Sequence, residues 1–292
     1  MRPEVAVCVP AYQAELYLAG TLRSVLAQSF RDFELVVVDN ASTDRTAEIL
    51  REFDHPRLRV VRNDRVLPLA ENWNKAVAAT RAPLVKLVCA DDLLHPRCLE
   101  KQYAVLAGDP GIALVCSRRT MINEESRPLS RNRGLRGLTG RHASQDVVRK
   151  IVRHGGNPLG EPGGALFRRA DFDAVGGFDS RWRFPMDLDL WVRLLQRGDF
   201  YGLADSLAAF RISRGSISAA LEDTGFVEQR SLTGEMAAAP HWRVRRRDRL
   251  VGAAKAPGAR LRRQALFLAA RAQGRRAGAE TNGCENSPYR GM

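Results

Sequence analysis

The stretch "LVKLVCADDLLHP", residues 84–96, places two adjacent carboxylates, Asp91 and Asp92, at the end of an apolar run. Such a run is typical of a buried β-strand, and a helical pattern begins at Pro96. An aspartate at a strand-to-helix turn commonly caps the helix. A pair of aspartates in this position can instead hold a divalent cation together with a phosphate. The stretch by itself leaves both interpretations open.

Similar strand-like runs alternate with helical patterns through the first third of the chain. We predict five strands, in "EVAVCVP", "FELVVVD", "LRVVR", "APLVKLVC" and "IALVCS". The segments between them have helical spacing, and Leu18, Leu22, Val25 and Leu26, for example, share one helical face. Strands without polar alternation, separated by helices, predict an α/β fold with a central, mostly parallel sheet flanked by helices.

Polar clusters follow three of these strands, at the point where each strand ends. They comprise residues 10–13, residues 39–40 and residues 91–92. Because α/β sheets bind their ligands at the carboxyl ends of the strands, we expect the three clusters to line one crevice. Asp187 and Asp189, which enter a later helix, would make it more acidic still. A crevice of this kind suits an anion only with a divalent metal between the two.

The rest of the chain divides by pattern into further segments. Residues 118–160 show no clear period and are rich in Arg, Gly and Ser, which predicts a long loop or lid. Strands, helices and a glycine turn are expected again over residues 161–229, within the same domain as residues 1–117. Residues 230–292 are expected to form a basic tail that is partly helical or disordered.

The net charge of +13 is concentrated in that tail. Residues 230–292 contain 14 Arg and Lys against 4 Asp and Glu, a net charge of +10, which leaves +3 for the rest of the chain. The tail lacks interleaved aromatic residues, so the charge argues against a nucleic-acid-binding protein, and no nucleic-acid partner is expected. No G-x-G-x-x-G follows the first strand, which argues against a nicotinamide dehydrogenase.

Within the tail, residues 259–273 can form a basic amphipathic helix. Leu261, Ala265, Leu268 and Ala272 lie along one stripe, with arginines away from it. Such a helix can rest on an anionic membrane surface, where each arginine contributes about 1 kcal/mol. A flexible, solvated cationic tail is the alternative, and residues 277–292 are expected to be disordered.

Cysteine usage and hydropathy indicate the cellular compartment. The five cysteines are odd in number and show no CxxC spacing, which fits reduced thiols in a reducing cytosol. The apolar stretch at the N-terminus is too short for a signal peptide, and no window approaches the ~18 apolar residues of a membrane span. We therefore expect a cytoplasmic protein, or one that is peripheral at the inner face of the membrane.

Four segments, taken together and in order, resemble the family 2 glycosyltransferases of the GT-A fold. They are residues 7–50, 72–80, 84–96 and 176–195, within a similarity that extends from about Val5 to about Ser218. The resemblance implies inverting transfer of a sugar from a nucleotide-diphosphate-sugar donor, of the UDP type, to a hydroxyl of a saccharide or lipid-linked acceptor. The process implied is cell-surface polysaccharide or glycolipid synthesis. A relative that binds nucleotide sugar without transferring it is the alternative.

The resemblance also implies roles for individual residues. Asp187 matches the catalytic base towards the acceptor hydroxyl, and Asp91 matches the metal-binding last aspartate of the DXD motif. Residues 1–117 would be the nucleotide-sugar-binding half, and residues 161–229 the half that carries the acceptor site and the base. The other positions in nucleotide-facing stretches, of which Asp39 matches the residue that contacts a uracil-type base, are Pro10, Ala11, Tyr12, Asp39, Asn72, Lys86 and Asp92.

Two departures from the family pattern affect the expected metal ion, Mg²⁺ or Mn²⁺. Cys89 occupies the first DXD position, and a thiol is poorly suited to magnesium. Ser213 stands where many relatives carry a histidine that helps to hold the metal or the phosphate. The metal would therefore depend on Asp91, the diphosphate and water, and it should bind weakly without nucleotide. Basic residues are an alternative source of positive charge for the diphosphate: Arg211, Arg214 or Lys86.

On the acceptor side we expect Gly163, Gly164, Trp182 and Arg211. Glycines let an acceptor approach the backbone, and a tryptophan beside a glycine turn can stack on a sugar. The alternative is that the two glycines serve a turn only and that the tryptophan packs in the core.

Overall fold

A computed structural model describes residues 2–213 and 222–277. The predictions for Arg214 and for the C-terminal stretch from residue 278 lie outside the described residues. The first half of the chain forms β1 (Val5–Ala11), α1 (Leu18–Leu26), β2 (Phe33–Asp39), α2 (Thr46–Arg51), β3 (Leu58–Arg62), α3 (Leu69–Ala78), β4 (Leu84–Leu87), β5 (Leu93–Leu94), α4 (Cys98–Gly108) and β6 (Ile112–Ile122). The second half forms β7 (Pro128–Arg133), β8 (Gly140–His142), α5 (Ser144–His154), β9 (Ala165–Arg168), α6 (Arg169–Ala174), α7 (Met186–Leu194), β10 (Asp199–Arg211), α8 (Glu222–Ala238) and α9 (Arg246–Ala277), with 3₁₀ turns at Pro162–Gly164 and Pro240–Trp242.

One ten-stranded sheet lies at the centre of the molecule. Its strand order is β3–β2–β1–β4–β9–β6–β10–β5, with β7 paired to β6 and β8 paired to β10. The strands β3, β2, β1 and β4 are parallel, as predicted, and their registers place Ala11 opposite Asp39 and Asp39 opposite Arg62. Every residue of β1 is buried, as expected for a strand with helices on both faces.

The sheet is less parallel than predicted, because β9 runs antiparallel between β4 and β6. The 3₁₀ turn at Pro162–Gly164 leads from α5 into β9, and the chain then runs opposite to both β4 and β6. Beyond β9 the sheet is mixed, since β10 is parallel to β6 but antiparallel to β5 and β8.

The prediction of a long loop over residues 118–160 is wrong. The segment completes β6 and contains β7, β8 and α5. Strand β7 has the polar sequence PLSRNR, which hides its pairing with β6 from a hydropathy pattern. Helix α5 was missed because only four of its eleven residues are buried: Val147, Val148, Ile151 and Val152.

The basic tail is a docked part of the fold over much of its length. The predicted boundary at residue 230 falls inside α8, and α9 packs against α5. The two helices approach closely at Gly252, where a Cβ would lie 2.0 Å from the Val152 carbonyl oxygen. Buried Asp248 adds ion pairs to α5, at 3.1 Å from Arg149 and 3.7 Å from Arg153.

Helix α9 has apolar residues on two opposite faces. On the inner face, Leu266 and Ala270 pack with Met121 and Ile212. On the outer face, Leu261 and Leu268 of the predicted stripe are 65% and 62% exposed. Leu250 is 62% exposed and lies on the same outer face, eleven residues before Leu261, which is close to three helical turns. Over the described residues, the helices lack a segment that combines the length and the apolar character needed to span a bilayer.

Candidate active site

A cavity of about 660 Å³ opens where β1, β2 and β4 end. Its volume lies within the range of small-molecule sites, about 300–1,000 Å³. Four of the predicted nucleotide-sugar positions line it: Pro10, Tyr12, Asn72 and Asp91. The structure therefore brings residues from three separate segments to one hollow, as the strand-end rule predicts. We call this hollow the larger cavity.

Two further predicted positions, Asp39 and Ala11, lie behind the wall of the larger cavity. Asp39 is 1% exposed, and its carboxylate accepts a hydrogen bond from the Ser42 backbone N–H at 2.9 Å and forms an ion pair with Arg62 at 2.6 Å. The ion pair follows from the sheet register, which places Arg62 opposite Asp39. Ala11 is fully buried in β1. The neighbouring Asn40 lines the cavity in their place.

The acidic pair after β4 divides into one partly buried carboxylate that faces the cavity and one enclosed carboxylate. Asp91 lines the larger cavity, and the side chain of Asp92 is 2% exposed and accepts a hydrogen bond from the Arg211 backbone N–H at 3.0 Å. Burial raises the pKa of both carboxyls, and the Arg211 guanidinium opposes that rise at Asp91. Asp92 therefore stabilises the loop that presents Asp91, which corrects its predicted role in binding the nucleotide.

Ligand atoms of Cys89, Asp91 and Asp92 lie within 4.8 Å of one another. Burial and the nearby Asp92 and Asp91 carboxylates raise the pKa of the Cys89 thiol, and a soft sulfur ligand suits Mg²⁺ poorly. Of the two carboxylates, that of Asp91 lines the larger cavity and so can meet a cation there. A hard cation that retains waters and phosphate oxygens, as Mg²⁺ does, fits such a sparse donor set.

Lys86 does not reach the larger cavity. Its side chain is fully buried, and Nζ donates hydrogen bonds to Gln102 Oε1 at 2.8 Å and to the Ala165 carbonyl oxygen at 3.0 Å. Burial lowers the pKa of this amine. Lys86 thus ties β4 to α4 and β9, and the expectation that it approaches the nucleotide is corrected.

Arg211 acts as a clamp beneath the cavity and has no place on the predicted acceptor side. Its Nε donates to the Asp91 carbonyl oxygen at 2.8 Å, and its Nη1 donates to the carbonyl oxygens of Asn123 and Glu124 at 2.8 and 3.0 Å. The guanidinium also lies 4.3 Å from the centroid of the Tyr17 ring. With a further bond from Nη2 to Ser126 Oγ at 3.1 Å, these contacts use four of the five N–H donors of the guanidinium.

The other predicted acceptor-side residues are also structural. Gly163 and Gly164 are buried in the 3₁₀ turn, where the Gly164 carbonyl oxygen accepts a hydrogen bond from Gln102 Nε2 at 2.7 Å. Trp182 is 6% exposed and belongs to the main hydrophobic core. The alternative interpretation, a turn and a core residue, describes them correctly.

Asp187 lies in the first turn of α7 and lines the larger cavity. Its Oδ1 accepts a hydrogen bond from the Leu188 backbone N–H at 2.7 Å, and its Oδ2 accepts one from Asn157 Nδ2 at 3.2 Å. Burial and the nearby Glu161 carboxylate raise the pKa of Asp187 to about 7, although the Leu188 N–H and Arg119 oppose the rise. A carboxyl with this pKa is well placed to exchange protons near neutral pH.

Asn157 holds Asp187 in a fixed orientation. The Oδ1 atom of Asn157 accepts hydrogen bonds from the backbone N–H groups of Leu159 and Gly160, at 3.0 and 2.9 Å. Its Nδ2 is therefore the side that faces Asp187, and it also donates to the Gly160 carbonyl oxygen at 3.1 Å. Asn157 was not among the predicted site residues, because its only signal in the sequence was its place near a glycine.

A second cavity of about 250 Å³ adjoins the first, and we call it the smaller cavity. The two share four lining residues: Glu161, Phe184, Asp187 and Phe210. Asp187 therefore stands in the wall between two hollows. The inner face of α9 closes part of the smaller cavity, through Ala256, Ala259 and Leu266 among others.

A family model described as glycosyl transferase family 2 matches residues 6–176. The chain belongs to this family. An uncharacterised protein of Mycobacterium tuberculosis is 32% identical over 202 residues, which cover 67% of this chain and 63% of that relative. The predicted family is thereby confirmed, and family 2 members are glycosyltransferases.

Solved structures show the fold of this family 2 chain. S. aureus TarS 1–349 in complex with UDP-GlcNAc superimposes with a TM-score of 0.65 and 19% identity, over 83% of this chain and 69% of that one. The mannosyltransferase PcManGT of Pyrobaculum calidifontis, in complex with GDP-Man and Mn²⁺, gives a TM-score of 0.63 and 21% identity, over 97% and 77%. The α/β fold of the GT-A type predicted for the chain is confirmed.

Several residues of the site in this family 2 chain were not predicted from the sequence. Glu161 borders both cavities, and Arg119 forms an ion pair with it. Both lie in or beside the segment without a clear period, and their chemistry depends on the turn that joins α5 to β9. Exposed apolar residues at the mouth of the larger cavity were also missed: Leu16 and Val66, beside the predicted Tyr12.

Proposed function

We propose that the protein is an inverting glycosyltransferase that moves a sugar from a nucleotide-diphosphate-sugar to a hydroxyl acceptor. The observation that carries the proposal is the position of Asp187, in the wall shared by the two cavities. The larger cavity has room for the donor, and the smaller one lies on the other side of the carboxylate. An acceptor hydroxyl that enters from the smaller cavity meets the base and the anomeric carbon together.

The reaction is a single displacement in which Asp187 is the general base. The acceptor oxygen forms a bond to the anomeric carbon while the bond from that carbon to the diphosphate oxygen breaks, and the hydroxyl proton passes to Asp187. Attack opposite the leaving group inverts the anomeric centre. A positioned base of this kind typically contributes about 10²–10⁴-fold.

The mouth of the larger cavity suits a nucleobase. Tyr12, Leu16 and Val66 are 52%, 76% and 52% exposed, and together they offer an apolar surface on which a base can stack. The two neighbouring structures are complexes with UDP-GlcNAc and GDP-Man, which supports a nucleotide-sugar donor. We infer a UDP-type donor, in which case Asp39 would contact the base only after Arg62 moves away.

A divalent cation, Mg²⁺ or Mn²⁺, would be held by Asp91 together with the donor diphosphate. When bound, the ion would neutralise the negative charge that develops on the departing diphosphate. The Mn²⁺ of the mannosyltransferase complex supports this assignment. Because Asp91 lines the larger cavity and is itself negatively charged, it would aid binding of the diphosphate through that ion.

The location proposed for the protein is the cytoplasmic face of an anionic membrane. The outer face of α9 exposes Leu250, Leu261 and Leu268, and Arg247 is exposed near one end of that face. Apolar residues flanked by arginine are typical of helices that lie in the interface of a bilayer. A lipid-linked or polysaccharide acceptor, as expected in cell-surface polymer synthesis, would meet the enzyme there.

The experiment that tests the function compares Asp187→Asn with Asp189→Asn. Each protein is incubated with a panel of nucleotide sugars, with and without Mn²⁺, and both sugar release and UDP binding are measured. We expect Asp187→Asn to lose turnover by at least about 10²-fold while it retains UDP binding, because the base is lost and the larger cavity is kept. Asp189 forms an ion pair with Arg193 at 2.5 Å inside α7, so its replacement should lower stability and leave turnover largely intact.

Full turnover by Asp187→Asn would remove that residue from the mechanism. Binding of UDP without turnover by the wild-type protein on any donor would favour the alternative function, a nucleotide-sugar-binding relative without transferase activity. Failure of the wild-type protein to bind any nucleotide would refute both.

A further inference from the structure

The smaller cavity contains positive charge that the proposed displacement does not use. Its lining includes Arg119 and Arg133, which are paired across the β6–β7 ladder. Two guanidinium groups side by side repel each other unless anions lie nearby. If a carboxylate of the protein does not balance one of these arginines, a bound anionic ligand can do so.

The charge of Arg119 is already balanced by the protein. Its guanidinium forms an ion pair with Glu161 and is enclosed by Gly134 and Gly160, both of which have positive φ. A Cβ at Gly160 would lie 2.8 Å from Arg119 Nη1, so the glycine makes room for the guanidinium. Arg119 and Glu161 together form a neutral unit beside Asp187.

Arg133 is different, because among the side chains that the structure describes no carboxylate lies within 4.0 Å of its guanidinium. The side chain is partly buried at the edge of the smaller cavity. A partly desolvated cation without a counter-charge is costly, and a bound anion relieves that cost. Arg133 thus offers a charge-assisted hydrogen bond to a ligand.

The other residues that line the smaller cavity indicate the shape and polarity of the rest of that ligand. Met121, Phe210, Ile212 and Leu266 give the smaller cavity apolar walls. Its volume of about 250 Å³ equals that of roughly eight water molecules at ~30 Å³ each, which is enough for one sugar ring. A sugar ring has apolar C–H faces that pack on such walls, and its hydroxyls can point to Asp187.

We propose that the acceptor carries an anionic group, on or next to the sugar that presents the reacting hydroxyl, and that Arg133 binds this group. The inference rests on the proposed function and specifies its acceptor. Two sources share the chemistry, a carboxylate as in a uronic acid and a phosphate as in a sugar or glycerol phosphate. Both place a negative charge at one end of the smaller cavity while the hydroxyl lies at Asp187.

The test measures binding of matched neutral and anionic probes to the full chain in the presence of UDP. Methyl glucoside is compared with methyl glucuronide, and glycerol with glycerol phosphate, by ligand-observed NMR titration. We expect at least one anionic probe to bind about tenfold more tightly than its neutral partner, and the preference to weaken as NaCl is raised. The probe pair that shows the preference identifies the carboxylate or the phosphate as the source.

Arg133→Gln should abolish the preference, and Arg133→Lys should retain part of it because the charge remains. Arg131→Gln is the matched control, since Arg131 is an exposed arginine of the same strand that does not line the cavity, and it should keep the wild-type preference. Equal binding of neutral and anionic probes, or a preference that survives Arg133→Gln in a folded protein, overturns the proposal. Failure of the wild-type protein to bind UDP would instead count against the proposed function. Failure of the acceptor proposal and failure of the proposed function are therefore distinguishable.

Discussion

Asp187 has opposing influences on its proton affinity, and their balance predicts how the enzyme responds to pH. Burial and the Glu161 carboxylate favour the protonated acid, while the Leu188 N–H and the Arg119 guanidinium favour the carboxylate, with a resulting pKa of about 7. A general base must be deprotonated to act. We therefore expect kcat/KM to fall about tenfold per pH unit below about 7 and to level off above it. Initial rates across pH 5 to 9 check this, and a rate that is flat down to about pH 5 would contradict it.

Glu161→Gln should move the acid limb of the pH profile, the range over which kcat/KM falls with decreasing pH, to lower pH. The substitution removes the carboxylate that raises the pKa of Asp187, and it leaves the positive charge of Arg119 beside the base. Both changes act in the same direction. Glu48→Gln is a suitable control, because Glu48 pairs with Arg45 on the surface, and its profile should match that of the wild-type protein. An acid limb that stays in place in Glu161→Gln would show that Glu161 does not tune the base.

Asn157→Ala should lower kcat more than it raises KM for the donor. The substitution removes the Nδ2 donor that orients Asp187, and it leaves the larger cavity unchanged, since Asn157 does not line it. Loss of one hydrogen bond to a carboxylate typically costs about 1.5–3 kcal/mol. The acid limb should also move to higher pH, because that bond favours the ionised form. A variant that changes stability alone, with kcat and the pH profile intact, would rule out this positioning role.

The residues of the site differ in how far they could be predicted from sequence. Asp91 and Asp187 were found because each lies in a recognisable segment, at a strand end and at a helix start. Asn157 and Glu161 lie in a turn between elements, and their roles arise only when that turn folds over α7. Lys86 and Arg211 were misplaced because a sequence does not show whether a basic side chain faces a cavity or a backbone carbonyl.

At the level of elements, the strength of the hydrophobic pattern decided what could be predicted. Strands β1 and β2 are apolar over nearly their whole length and are buried on both faces, so their runs are unmistakable. Helix α5 and strand β7 are largely polar, and their positions are fixed by long-range packing and pairing. Helix α9 was predicted too short, because its first turns are rich in arginine and it includes Pro257.

The contact between α5 and α9 provides a prediction about stability. Gly252→Ala would force a Cβ onto the Val152 carbonyl oxygen, so we expect α9 to shift and the free energy of unfolding to fall by about 1–3 kcal/mol. Gly234→Ala in α8 is the matched control, since a Cβ there meets no atom within 4 Å, and alanine should add up to about 1 kcal/mol through helix propensity. Thermal unfolding of the two variants checks whether the first is less stable and the second more stable than the wild-type protein. Equal melting temperatures would mean that α9 does not depend on this contact.

At the scale of the whole molecule, α9 lies in the basic part of the chain and also borders the candidate active site. Its inner face closes the smaller cavity, and its outer face presents leucines to solvent within the basic part of the chain. An enzyme seated on an anionic bilayer through that outer face would hold the smaller cavity close to the surface. A lipid-linked acceptor could then reach Asp187 without leaving the membrane interface.

A double substitution of Leu261→Glu and Leu268→Glu tests that arrangement. Each change replaces an exposed apolar side chain by a negative charge, so we expect binding to vesicles that contain anionic lipid to fall by at least about tenfold. Val227→Glu on α8 is the control, because Val227 is equally exposed, at 67%, but lies outside α9, and this variant should bind as the wild-type protein does. Co-sedimentation with anionic and neutral vesicles, at low and high NaCl, separates the charge contribution from the apolar one. If the double variant binds as tightly as the wild-type protein, or if the wild-type protein ignores anionic vesicles, the outer face of α9 is not a membrane-binding surface.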